Sequence, residues 1–207
     1  MTPYAFIWDL DGTLVDSYTC IVPAVKGFCE ELGVSLSEKY IRDFVLRSSV
    51  GSLLEEIAPE AEKDPAWLKE QYEIRNDRSI HGIRPMPHAR EVLDKLKGGG
   101  HLCFVYTHRA ASCQTILENT GLLPCFTEVV TALDGFPKKP APDGILYLLE
   151  KYELDPEKCY YVGDRLLDIH SGKNAGIKSV LFLPEGSPVC PDGSETFIIH
   201  DLREVLI

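Results

Sequence analysis

No stretch of this chain approaches the roughly 20 consecutive apolar residues that a membrane-spanning helix needs. The apolar segment nearest the start, residues 4–10, is short and is broken by Asp9 and Asp11. No basic region precedes it and no small-residue cleavage site follows it, so neither a secretory leader nor a membrane partner is expected. Positive charge is also scarce. Lys and Arg number 21 against 32 Asp and Glu, a formal charge of −11, and no local basic stripe opposes that field. Nucleic acid is therefore not expected as a partner. The seven cysteines are odd in number, scattered and without a CxxC pair. That excludes a disulfide framework and a thiolate zinc site, and fits reduced thiols in a cytoplasmic protein. Internal repeats and low-complexity tracts are absent too.

What is present reads as a globular α/β chain. Hydrophobic residues make up 44% and charged residues 26%, and 207 residues suffice for one α/β domain with a smaller appendage. Residues 4–9 form a short apolar run that ends at Asp11-Gly12-Thr13, the pattern of a buried strand feeding a tight loop. From about residue 18 to 79 the pattern becomes helical. Ile21, Val25, Phe28, Cys29 and Leu32 share one face before Gly33, a third helix is expected to stop before Pro59, and Pro65 opens a fourth. Beyond Pro85-Met86-Pro87, helices and strands alternate. Strands are expected at 102–107, 126–131, 159–162 and 179–183, with a short last one at 196–199, and a helix at 110–120. Such alternation implies a parallel sheet covered on both faces, with the all-helical stretch inserted after the first strand.

Parallel sheets of this kind bind ligands at the carboxyl ends of their strands. The first strand delivers Asp9 and Asp11, the second Thr107, the loop after the third Lys138 and Lys139, and the fourth Asp164 with Asp168 one turn later. Gathered at one edge, these carboxylates would repel one another unless a cation lay among them. Oxygen-only ligands favour magnesium over zinc. With Lys139 and Thr107 holding other oxygens, such a centre suits a phosphoryl group. One carboxylate could attack phosphorus while another handles the proton. An acidic net charge is no obstacle to a small phosphorylated metabolite, because a bound ion and one lysine reverse the local potential.

Asp9-Leu10-Asp11-Gly12-Thr13-Leu14-Val15-Asp16-Ser17 resembles the first motif of the haloacid-dehalogenase-like hydrolases. Thr107 at a strand end resembles the second, Lys139-Pro140-Ala141-Pro142 the third, and Gly163-Asp164 with Asp168-Ile169 the fourth. The four stand in the family's order and cover nearly the whole chain, nearest to its phosphoglycolate-phosphatase-like and β-phosphoglucomutase-like members. The resemblance implies a Rossmann-like three-layer core (1–15 and 81–207) with strand order 5-4-1-2-3, and an inserted helical cap (16–80). It further implies Asp9 as nucleophile and Asp11 as general acid/base, with Thr107 and Lys139 on the phosphate. Mg²⁺ would be held by Asp9, the Asp11 backbone carbonyl and Asp164, with Asp168 as an outer or direct partner. The reaction implied is phosphate release through an aspartyl-phosphate. A phosphomutase is the alternative, disfavoured because Ile21 stands where the mutases carry His. A receiver-like signalling domain is the alternative of another class. The physiological substrate, the role of His108 and Arg109, and the oligomeric state are left open at this level.

Overall fold

The structure is a computed structural model that describes residues 3–206, the side chains of 77–79 excepted. It forms two compact units: the chain up to Asp16 together with Arg84 onward, and Ser17–Ile83. No helix among the described residues is long and apolar enough to cross a membrane.

The first unit is built on β1 (Ala5–Trp8), whose four residues are all buried, as expected of a central strand covered on both faces. The chain then turns sharply. Gly12 adopts φ 78°, the amides of Leu14 and Val15 both donate to the Leu10 carbonyl, and β2 (Val15–Asp16) follows.

The second unit is a bundle of α1 (Tyr18–Glu31), α2 (Glu38–Arg47), α3 (Val50–Ala61) and α4 (Pro65–Ser79). Polar side chains start three of these helices by accepting free first-turn amides. Ser37 caps α2, Ser49 caps α3, and Asp64 caps α4 with Pro65 next to it. Val25, Phe28, Ile41, Leu53, Leu54 and Leu68 fill the bundle core. Helix α3 runs through Pro59, where a stop was expected. Pro59 lacks the N–H that would bond the Glu55 carbonyl, and only two residues of helix follow it. Tyr72 lies in the bundle core, whereas Trp67 is 41% exposed with the Lys63 ammonium over its ring.

The chain returns through β3 (Arg84–Pro85), which pairs antiparallel with β2 in the register Val15↔Pro85 and Asp16↔Arg84. Then come α5 (Ala89–Gly98), β4 (Leu102–Tyr106), α6 (Ser112–Asn119), β5 (Glu128–Val130), α7 (Asp143–Lys151), β6 (Cys159–Gly163), α8 (Leu166–Asn174), β7 (Lys178–Phe182) and β8 (Phe197–Ile199). The sheet runs β5-β4-β1-β6-β7-β8, with every pairing parallel. This is the expected five-strand order read from the other edge, corrected by a sixth strand. Residues 197–199 are not a detached strand; they extend the sheet beside β7, with Val180 opposite Phe197. The cysteines are all free, and five of the seven are buried as small apolar side chains.

Candidate active site

Strand β1 lies in the middle of the sheet, so the residue that follows it has a strand end on either side. Asp9 is that residue. Its amide still donates to the Val162 carbonyl of β6 at 2.9 Å, which fixes the backbone, and its side chain is 2% exposed. Thr107 follows β4 in the same way, its amide donating to the Val130 carbonyl at 3.0 Å. Asp164 follows β6, and Asp168 sits in the first turn of α8; both are buried.

Lys139 reaches this point from the loop after β5. That loop is held from behind by α8: Ser171 Oγ donates to the Ala141 carbonyl and Asn174 Nδ2 to the Pro140 carbonyl, each at 2.9 Å. From the other side the Lys139 amide donates to His108 Nε2 at 2.8 Å. The buried ammonium donates to Asp9 Oδ1 at 2.5 Å and to Asp168 Oδ1 at 2.8 Å. It also lies over the rings of Tyr106 and Tyr161, at 5.2 and 5.3 Å.

The carboxylates are not alike. Asp168 has both oxygens engaged, Oδ1 by Lys139 and Oδ2 by the Arg165 amide at 3.1 Å. Burial works against its charge, but Lys139 and Arg165 outweigh it and hold its pKa below the ordinary aspartate value. Asp9 and Asp164 each keep a buried oxygen with no hydrogen-bond partner, Oδ2 and Oδ1 respectively. Burial pushes Asp9 up to about 6 against the pull of Lys139, and raises Asp164 well above the ordinary range. Burial also disfavours the Lys139 ammonium, yet Asp168 and Asp9 keep its pKa raised. One carboxylate oxygen from each of Asp9, Asp164 and Asp168 lies within 4.8 Å of the others. A hard cation fits this donor set. It would satisfy the two orphaned oxygens and remove the repulsion between Asp9 and Asp164.

Asp11 stands apart from this group. It is less buried, and the Arg109 Nε–H is shared between its two oxygens at 2.8 Å each. Sequence reasoning named Arg109 without a role; its signal, a cation two residues past a strand-end threonine, does not say which acid it meets. The expected helix at 110–120 begins only at Ser112. Residues 108–111 therefore form a short loop, and it is this loop that carries His108 and Arg109. His108 is half-buried and is pushed down to about 3, first by burial and then by Lys139. Lys138 is exposed. In the other unit, Arg75 is taken up by Glu31 at 2.6 Å and the Gln71 carbonyl at 3.0 Å, over the Phe28 ring.

Fold and site together define an α/β protein whose sheet gathers buried acids around one lysine at its carboxyl edge. The chain belongs to the haloacid dehalogenase-like hydrolase family, whose pattern it matches over residues 6–182. It is 31% identical over 185 residues to the phosphoglycolate phosphatase of Aquifex aeolicus, covering 86% of this chain and 83% of that protein. To the phosphoglycolate phosphatase of Vibrio parahaemolyticus it is 29% identical over 213 residues, with 96% and 92% covered. The crystal structure of a hydrolase from Streptococcus pneumoniae superposes with a TM-score of 0.68 at 30% identity, over 100% of this chain and 99% of that one.

Proposed function

We propose that this protein is a magnesium-dependent phosphatase that hydrolyses a small phosphorylated metabolite through an aspartyl-phosphate on Asp9. The reading rests above all on one arrangement: Lys139 holds one oxygen of Asp9, while the other stays buried and unpartnered near the equally unpartnered Asp164 Oδ1. An aspartate fixed this way can serve a cation and a phosphoryl group together.

Asp9, Asp164 and the Asp11 backbone carbonyl would hold the Mg²⁺, which when bound would offset negative charge on the phosphoryl oxygens. The chain's own groups carry the remaining work. Two of the three Lys139 ammonium protons go to Asp9 and Asp168, which leaves the third for a phosphoryl oxygen. The Thr107 hydroxyl, which accepts the Arg109 amide at 3.2 Å, can donate to a second one. An Asp9 oxygen attacks phosphorus, the bond to the leaving oxygen breaks, and Asp11 gives that oxygen a proton. Water then attacks the aspartyl-phosphate and returns a proton to Asp11, releasing phosphate and restoring Asp9. Asp168 touches none of the reacting atoms; it keeps Lys139 charged and aimed.

The substrate class proposed is a small phosphate monoester of the phosphoglycolate or sugar-phosphate kind. Magnesium-dependent phosphate release from p-nitrophenyl phosphate, and from a panel of such metabolites, is the test. Asp9→Asn should show none, and turnover in that variant equal to the wild type would refute the nucleophile. Isomerised sugar phosphate in place of free phosphate would make the protein a mutase instead.

A further inference from the structure

Lys139 and Arg109 are bound to different acids. Lys139 sits between Asp9 and Asp168, whereas Arg109 is bound to Asp11. The Arg109 side chain is only 6% exposed, and its backbone is tied on both sides. Its amide donates to Thr107 Oγ1 at 3.2 Å, and its carbonyl accepts from the Ala132 amide at 2.9 Å. The guanidinium also reaches Ser112 Oγ at 3.5 Å. Arg109 is thus a fixed post, and it holds the Asp11 side chain just before the turn at Gly12. The Arg109 Nε–H, shared equally by both oxygens, fixes the direction in which the Asp11 carboxylate points.

Building on the phosphatase reading, we propose that Arg109 is a positioning residue that orients Asp11 for proton transfer to the leaving oxygen, and does not itself grip the phosphoryl group. Asp9 forms the bond to phosphorus as the ester P–O bond breaks. The proton on Asp11 passes to the departing alkoxide, leaving a carboxylate that Arg109 keeps in place until water returns the proton. Such assistance matters when the leaving group is a poor one. An alkoxide needs the proton; an acidic phenolate leaves without it.

The test compares kcat/KM for p-nitrophenyl phosphate and for an alkyl phosphate, with magnesium, in the full-length wild type and in Arg109→Met, Arg109→Lys and Asp11→Asn. In Arg109→Met, kcat/KM for the alkyl ester should fall by about 100-fold, the lower end of what general acid catalysis contributes, and that for the aryl ester by at least tenfold less. Asp11→Asn should show the same order of losses in kcat/KM, with kcat falling for both esters because water no longer has Asp11 to take its proton, and adding Arg109→Met to it should lower kcat/KM no further, since the two act as one unit. Arg109→Lys should recover part of the loss and guards against a variant that fails to fold. Equal losses for both esters, with weaker inhibition by inorganic phosphate, would overturn the proposal in favour of a phosphate-gripping arginine. Undiminished turnover of both esters would also overturn it. A wild type inert on both esters would instead remove the phosphatase reading, and this inference with it.

Discussion

The buried Lys139 ammonium neutralises two buried carboxylates at once, so its loss reaches beyond catalysis. Lys139→Met would leave Asp9 and Asp168 facing each other with only Arg165 as a nearby counter-charge, at a cost of about 3–5 kcal/mol in urea unfolding. Removing one of those charges should recover part of the loss. The double variant Lys139→Met/Asp168→Asn is expected to unfold at higher urea than Lys139→Met alone while remaining inactive. His108 gives a second residue-scale prediction. Its ring accepts the Lys139 amide as the neutral form, with Lys139, Arg165 and Lys138 opposing a proton there and Asp168 alone favouring one. The unfolded chain binds that proton near the ordinary value of 6.5, the folded chain only near 3. Stability from the neutral ring is therefore present above pH 6.5 and lost as pH falls toward 3. Urea midpoints between pH 6.5 and 5 should drop less steeply in His108→Gln, which keeps an acceptor but cannot titrate; equal slopes would count against this account. Neither His108 nor Arg109 could be assigned from the chain alone. Their partners lie 31 and 98 residues away, and such pairings leave no local periodicity. Asp9, Thr107 and Asp164 were easier to place, because an apolar run that ends abruptly at a polar residue marks a strand end.

Helix α8 and strand β6 approach so closely that only glycine fits between them. A Cβ on Gly163 would lie 2.3 Å from the Asp168 Cβ and 2.7 Å from its Oδ2. Gly163→Ala should therefore displace the carboxylate that holds Lys139, destabilising by about 1–3 kcal/mol as overpacking does and cutting activity as well. Gly98 at the end of α5 is a control. A Cβ there meets nothing within 4 Å, so Gly98→Ala should leave activity alone and, if anything, raise the melting temperature slightly. At this scale the sequence was readable where elements were long. The bundle helices announce themselves by apolar spacing and, for α4, by Pro65 at its start; the caps Ser37, Ser49 and Asp64 emerge only in the structure. The two-residue strands β2 and β3 could not be read, being too short for an alternating pattern. Nor could the place of β8. Its Phe197 and Ile198 are 41% and 40% exposed, so the pattern gives a strand without saying which edge it joins.

Across the whole molecule, the acids and cations named at the proposed centre belong to one unit. Asp9, Asp11, Asp164 and Asp168 face Lys139, Arg109 and Arg165, four acids to three cations. None of these groups comes from Ser17–Ile83. The chain leaves for that segment from Asp16 and returns at Arg84, and those two residues already face each other across the antiparallel pair of β2 and β3. Joining them by a two-residue Asn-Gly turn would close a hairpin of the favoured type, with no residue of the sheet unit removed. The shortened chain is expected to unfold cooperatively in urea and to hydrolyse p-nitrophenyl phosphate with magnesium. Its preference among phosphorylated metabolites should flatten relative to the full chain. A shortened chain that folds cooperatively yet turns over no ester would show that residues 17–83 supply a group the chemistry needs. One that does not fold would show that the sheet unit depends on the bundle for stability, which its separately filled core argues against.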